Sequence, residues 1–169
     1  SFRDAESLLD QTLTFSGILG KEREIKADDI KNLLGLVETN LVQNFVDLIS
    51  QKEIQKAINF LNEIIDRGQD LQEFAKTLIN YLRQILIFKI VGSEPSQNPI
   101  ISGLTKEELE KLQTQASNFK ENELHQILNL FLEAQTKMKY SPIPQLPLEL
   151  AIIEYVSEAQ AERSVEMKA

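Results

Sequence analysis

The 169 residues contain no cysteine. That excludes a thiolate nucleophile, a disulfide staple and any thiolate metal site. Histidine is almost missing too: His125 stands alone, too few imidazoles for the common zinc arrangements. Basic residues are outnumbered, 18 against 26 acidic, for a net charge of -8. A chain that holds DNA by itself needs a dense lysine and arginine surface to neutralise phosphates, and this composition argues against one. It is compatible with a scaffold whose partner supplies the positive charge. No apolar run approaches the ~18 residues of a membrane span, and the opening residues do not read as a signal peptide. A soluble cytoplasmic protein is therefore expected. Also missing are a G-x-x-x-x-G-K-[ST] loop and a hydrophobic strand followed by acidic residues able to hold magnesium, so the chain by itself is no nucleotide-driven motor and no enzyme of that kind.

What is present is helix. Glycine and proline are scarce, 6 and 5, and leucine and isoleucine recur at three- and four-residue spacing between turn residues. The pattern predicts an all-α fold of about eight helices. The first, over 2–15, gathers Ala5, Leu8, Leu9 and Leu13, and the second, over 26–34, ends at Gly35. Both are too short to be stable alone and need a neighbour. A third helix over 40–50 directs Leu41, Val42, Phe45, Leu48 and Ile49 inward. A fourth over 52–66 does so with Ile54, Ala57, Ile58, Leu61 and Ile65, and almost no loop separates the two.

Arg67 and Gly68 close the fourth helix, and Asp70 with Glu73 forms a capping-box pattern at the start of the fifth. That fifth helix reaches about residue 91 through Leu71, Phe74, Ala75, Leu78, Leu82, Ile85, Leu86 and Ile90, with Ile79 and Ile87 on its other face. So apolar a helix is central or lies in an interface. Residues 92–103 read as a break within one domain. Thr105 and Glu108 make a second capping box, and Leu104 with Leu109 occupies the hydrophobic-staple positions, so the sixth helix starts near 106. The seventh, over 121–139, lines up Leu124, Ile127, Leu128, Phe131 and Met138. Pro142 and Pro144 enforce a turn. Pro147 then opens the eighth, with Leu148, Ile152, Tyr155, Val156 and Ala159 on its face, and a frayed tail is expected over 163–169.

The polar residues offer little chemistry. Asp10 and Gln11 lack an accompanying base, nucleophile or phosphate loop. His125 borders the apolar stripe of the seventh helix and reads as solvent-facing. Tyr81 reads as a partly exposed aromatic beside the solvated cation Arg83. Glu107 and Lys111, four apart with the acid first, suit a solvated helix face. Lys137 and Lys139 suit the C-terminal end of a helix on dipole grounds, although they are positioned to touch a DNA backbone.

Four stretches carry a resemblance: S-F-R-D-A-E-S-L-L-D-Q at the start, L-L-G-L-V at 33–37, D-R-G-Q-D-L at 66–71 and P-L-E at 147–149. In this order they resemble the gamma/tau subunit family of the bacterial DNA polymerase III clamp loader. The resemblance implies that residues 1–36 are the end of an AAA+ helical lid and 37–162 a collar, through which subunits assemble into a ring that loads a sliding clamp on primed DNA. It further implies that Arg3 contacts the terminal phosphate of ATP, with magnesium, in the full-length parent. The chain itself is expected to need no cofactor and no metal. Its partners would be other clamp-loader subunits or further copies of itself, with the sliding clamp and DNA met only through the full complex and no membrane involved.

Interface candidates on this reading are the outer side of the fifth helix and parts of the seventh and eighth, with Ile79, Ile87, Tyr81, Arg83, Gln145 and Glu149 as the named residues. At Gln145 the family commonly carries a basic residue, so the resemblance does not extend to an ion pair there. A delta-prime-like or replication-factor-like subunit, or an unrelated helical scaffold, are the alternatives.

Overall fold

In the computed structural model the described residues are Ser7, 39–92, 100, 101 and 103–166, with side chains described up to residue 158. The chain divides into two compact units, 1–38 and 39–169. Apart from Ser7, the predicted helices over 2–15 and 26–34 lie outside the described residues.

Six helices are described: α1 Thr39–Ser50, α2 Ile54–Asp66, α3 Leu71–Val91, α4 Lys106–Ser117, α5 Glu121–Met138 and α6 Leu146–Glu166. Among the described residues there is no strand. The helices close a ring in which α1 packs on α2, α2 on α6, α6 on α5, α5 on α3 and α3 back on α1. The remaining helix, α4, lies against both α3 and α1. The interior is aromatic. Phe45 on α1 meets Phe74 on α3 edge-on, with centroids 5.3 Å apart, and lies 6.2 Å from Phe131 on α5 and 5.9 Å from Phe60 on α2. Tilted and edge-on pairs of this kind add about 0.5–1.5 kcal/mol each beyond area burial.

The helix ends follow the local chemistry of the sequence. Asp70 accepts hydrogen bonds from the Gln72 and Glu73 N–H groups at 2.8 and 3.2 Å, while the Glu73 carboxylate turns to Lys76. At α4 the capping box is reciprocal: the Glu108 N–H donates to Thr105 Oγ1, and the Thr105 N–H donates to Glu108 Oε2 at 2.8 Å. Gly68, at φ 71°, ends α2 in a Schellman turn in which its N–H donates to the Ile65 carbonyl and that of Gln69 to the Ile64 carbonyl. The same two bonds end α1, from Lys52 to Ile49 and from Glu53 to Leu48, but there the left-handed position is held by a lysine at φ 59°. This turn is why α2 begins at Ile54 and not at Lys52.

Several inward-facing assignments need correction. On α2 the buried residues are Ala57, Leu61 and Ile64, while Ile65 is exposed. Two adjacent isoleucines stand about 100° apart on a helix, and Ile64, seven residues after Ala57, falls in line with Ala57 and Leu61 while Ile65 turns away. Val46, Tyr81, Phe88 and Ala134 join the core, whereas Ile90 points outward. The last helix runs to Glu166. Ile101 anchors the far end of the 92–103 break in the core, and unit 39–169 runs through it undivided.

Candidate functional site

Polar groups inside the bundle build structure. Tyr81 is buried, not partly exposed as its neighbours on the helix led one to expect. Its hydroxyl donates to Gln115 Oε1 at 2.6 Å, and burial pushes its pKa up to about 12. Gln115, with no exposed surface, donates in turn to the Gln43 carbonyl at 2.8 Å and to Asp47 Oδ1 at 2.7 Å. Lys111 does not pair along its own helix with Glu107. It crosses to Asp47 Oδ2 at 2.6 Å, and Lys89 donates to the Ala116 carbonyl near the C-terminus of α4. Together these bonds fasten α4 to α1 and α3. Beside them Gln43, Thr77, Tyr81, Gln84 and Glu108 line part of a cleft of about 160 Å³. Small-molecule sites usually start near ~300 Å³. Among the described residues no group of three or more His, Asp or Glu side chains is placed to hold a metal ion, and no helix is long and apolar enough to cross a membrane.

The surface holds a different feature. Counting about 100° per residue, the buried face of α6 is Leu148, Ala151, Ile152, Tyr155 and Val156. Leu146, Leu150 and Ile153, at intervals of four and three, form a second row on the opposite side, and Leu150 is 54% exposed. The row continues into the preceding turn with Ile143 and with Tyr140, the latter 85% exposed. Leu132 on α5 is exposed as well. The turn is a built element: the Tyr140 and Ser141 N–H groups donate to the Lys137 carbonyl, and Ser141 Oγ donates to the Ile143 carbonyl at 2.7 Å. A row of exposed apolar residues on a helix already seated by its other face is the kind of surface that a protein interface uses.

The residues expected from the sequence stand apart from this strip or at its edge. Arg3, Asp10 and Gln11 lie outside the described residues. Ile79 and Ile87 are half-buried in the bundle, and Arg83 is exposed on α3. The Gln145 carbonyl accepts from the Leu148 and Glu149 N–H groups at 3.0 and 3.1 Å and so starts α6, with Glu149 half-buried in the first turn. His125 is exposed, as expected. Lys137 pairs with Glu133 at 3.1 Å. Part of this last helix was expected at an interface, but Leu146, Leu150 and Ile153 were not singled out, and their signal was there: L-P-L-E-L-A-I-I-E-Y-V is apolar on both sides of a helix, not on one.

This all-helical arrangement is a fold already seen in a clamp-loader protein. Among solved structures it is similar to the DNA clamp loader delta protein of Bacillus subtilis, with a TM-score of 0.61 and 21% identity over 88% of this chain and 44% of that one. More specifically, residues 25–168 match the family model for DNA polymerase III subunits gamma and tau domain III, and the chain belongs to that family. It is 27% identical over 153 residues to DNA polymerase III subunit tau of Bacillus subtilis (strain 168), a match that takes in 89% of this chain. The chain spans about a quarter of the length of that relative, 25%.

Proposed function

We propose that this chain is the collar of a gamma/tau-type clamp-loader subunit, a non-catalytic module that joins the subunit to its neighbours in the ring that loads a sliding clamp on primed DNA. The exposed row Leu146, Leu150 and Ile153 carries the reading, because a domain III helix seated in the bundle by one face keeps a second apolar face for a neighbour. Burying such a row is worth about 25 cal/mol per Å² before the costs of association. On this reading the parent protein works in the cytoplasm, ATP and magnesium bind its motor, and Arg3 contacts the ATP phosphate there through a bidentate guanidinium. The family match to gamma and tau favours this over a delta-prime-like subunit.

The test is assembly of the parent subunit with its partner subunits, followed by light scattering. Leu150→Asp should leave the subunit folded and remove it from the complex; an unchanged complex mass sinks the reading. Arg3→Ala should leave assembly intact and reduce ATP-dependent clamp loading, and equal loading rates reject the role given to Arg3.

A further inference from the structure

Five of the six described helices close the ring of α1, α2, α6, α5 and α3, and α4 stands outside it against α1 and α3. It lies across that ring from α6, which sits between α2 and α5. Its apolar hold is thin. α1, equally 12 residues long, buries Val42, Phe45, Val46 and Ile49, whereas the apolar side chains α4 buries are Leu112 and Ala116. The rest of its seat is polar: Gln115 is bonded to Tyr81, to the Gln43 carbonyl and to Asp47, and Lys111 is bonded to Asp47. Hydrogen bonds that water can replace hold less firmly than buried apolar area does. At the start of α4 the packing is open, with the cleft of about 160 Å³ between Val42 and Gln43 on α1, Tyr81 and Gln84 on α3, and Leu104 and Glu108. The chain on either side is anchored, since Ile101 before α4 and Phe119 after it are buried.

We infer that α4 is a strap that opens separately, leaving α1 and α3 while Ile101, Phe119 and the five-helix ring stay in place. A lone helix of 12 residues is marginal in water, so α4 melts as it leaves and its backbone amides meet solvent. Opening breaks the Gln115 bonds and uncovers the seam between α1 and α3, the buried Tyr81 included. Local units of this kind open with a free energy below that of global unfolding. Because α6 sits on the other side of the ring, its outer row keeps its place through the event. The chain thus carries a moving part on the side away from the α6 row.

Native-state hydrogen exchange of the 169-residue chain, followed by NMR at rising urea below the unfolding transition, reads the opening residue by residue. The α4 amides should exchange about tenfold or more faster than the slowest amides of α3 and α5, and with a weaker dependence on urea, since less surface is exposed. Two substitutions then separate local from global opening. Phe45→Leu weakens the aromatic centre of the ring, which is intact whether α4 is seated or not. It should speed the slowest α3 and α5 amides about tenfold and leave the α4 rates within about twofold. Gln115→Leu should speed α4 exchange about thirtyfold or more. Lys111→Met removes only the ion pair to Asp47 and should act the same way by about threefold, which keeps the test open if Gln115→Leu does not fold. If the α4 amides exchange in step with those of α3 and α5 and follow them in Phe45→Leu, α4 opens only with the whole bundle and the inference is overturned. Rates in α4 that neither Gln115→Leu nor Lys111→Met changes would overturn it too, because the opening would not break the bonds that seat the strap.

Discussion

Lys52 Nζ lies 2.7 Å from Glu123 Oε1, and the two side chains are each only 14% exposed. The same ammonium stands 5.4 Å from the ring centroid of Tyr155. One residue in the turn between α1 and α2 thus ties that turn to the start of α5 and to the inner face of α6. To do so it adopts a left-handed backbone at φ 59°, where a side chain costs about 1–2 kcal/mol.

This opposition of strain and attraction is separable by substitution. Lys52→Ala keeps the strained backbone and loses the ion pair, for an expected loss of about 2 kcal/mol or more. Lys52→Gly loses the pair but relieves the strain, and should be the more stable variant by about 1 kcal/mol. Urea denaturation of the three proteins checks the order wild type, Lys52→Gly, Lys52→Ala. A glycine variant no more stable than the alanine one would show that the turn carries no strain.

Glu123 makes the clasp sensitive to acid. Burial alone would raise its carboxyl pKa, but the Lys120 N–H, donating to Oε2 at 2.8 Å, and the Lys52 ammonium together outweigh that and hold it below the ordinary value of 4.5. A carboxylate depressed in the folded state stabilises it above the unfolded value, and that contribution fades as pH falls through the lower folded value. Thermal melts taken from pH ~6 down to pH ~3 should show Glu123→Gln losing less stability on acidification than the wild type. Parallel curves would mean that other carboxylates govern the acid limb.

Gln115 is the node on which α4 hangs. Its amide joins the Tyr81 hydroxyl, the Gln43 carbonyl and Asp47. Gln115→Leu leaves three buried or half-buried polar groups short of a partner and should cost about 2–4 kcal/mol, whereas Tyr81→Phe removes one bond and should cost about 1 kcal/mol. The double variant should cost less than the sum, because the second change removes a group the first has already orphaned. Additive losses in chemical denaturation would place Tyr81 and Gln115 in separate interactions.

The bundle was legible where the signal is local. Asp70, Thr105 with Glu108, and Gly68 mark helix ends by the bonds their own atoms make, and the structure finds the ends there. Inward faces were legible for Phe45, Phe74, Leu78 and Phe131, whose spacing leaves one solution. What escaped depends on distant partners. Tyr81 looks exposable until Gln115 from another helix supplies its hydrogen bond, and Lys111 looks solvated until Asp47 is brought beside it. Lysine gives no warning of a left-handed turn at position 52. Part of α6 was expected at an interface, but the residues of its second row were not singled out, because Leu148 and Ile152 had already accounted for one face.

The strip on α6 and the outer side of α3 make opposite forecasts, and one pair of variants separates them. Ile79 was attractive as an interface residue because it falls off the main stripe of its helix, but it is half-buried within the bundle. An aspartate there loses packing and forces a charge toward a low-dielectric surface, so Ile79→Asp should lower the melting temperature by several degrees, for an expected loss of about 1–3 kcal/mol. Leu150 is 54% exposed on the free side of α6, and Leu150→Asp should cost no more than ~0.5 kcal/mol. In assembly with partner subunits the ranking reverses: at temperatures where both variants are folded, Leu150→Asp should be the one that fails to join. Melting curves and complex mass measured on the same samples decide between the two faces, and an assembly-defective Ile79→Asp beside a competent Leu150→Asp would move the interface to α3.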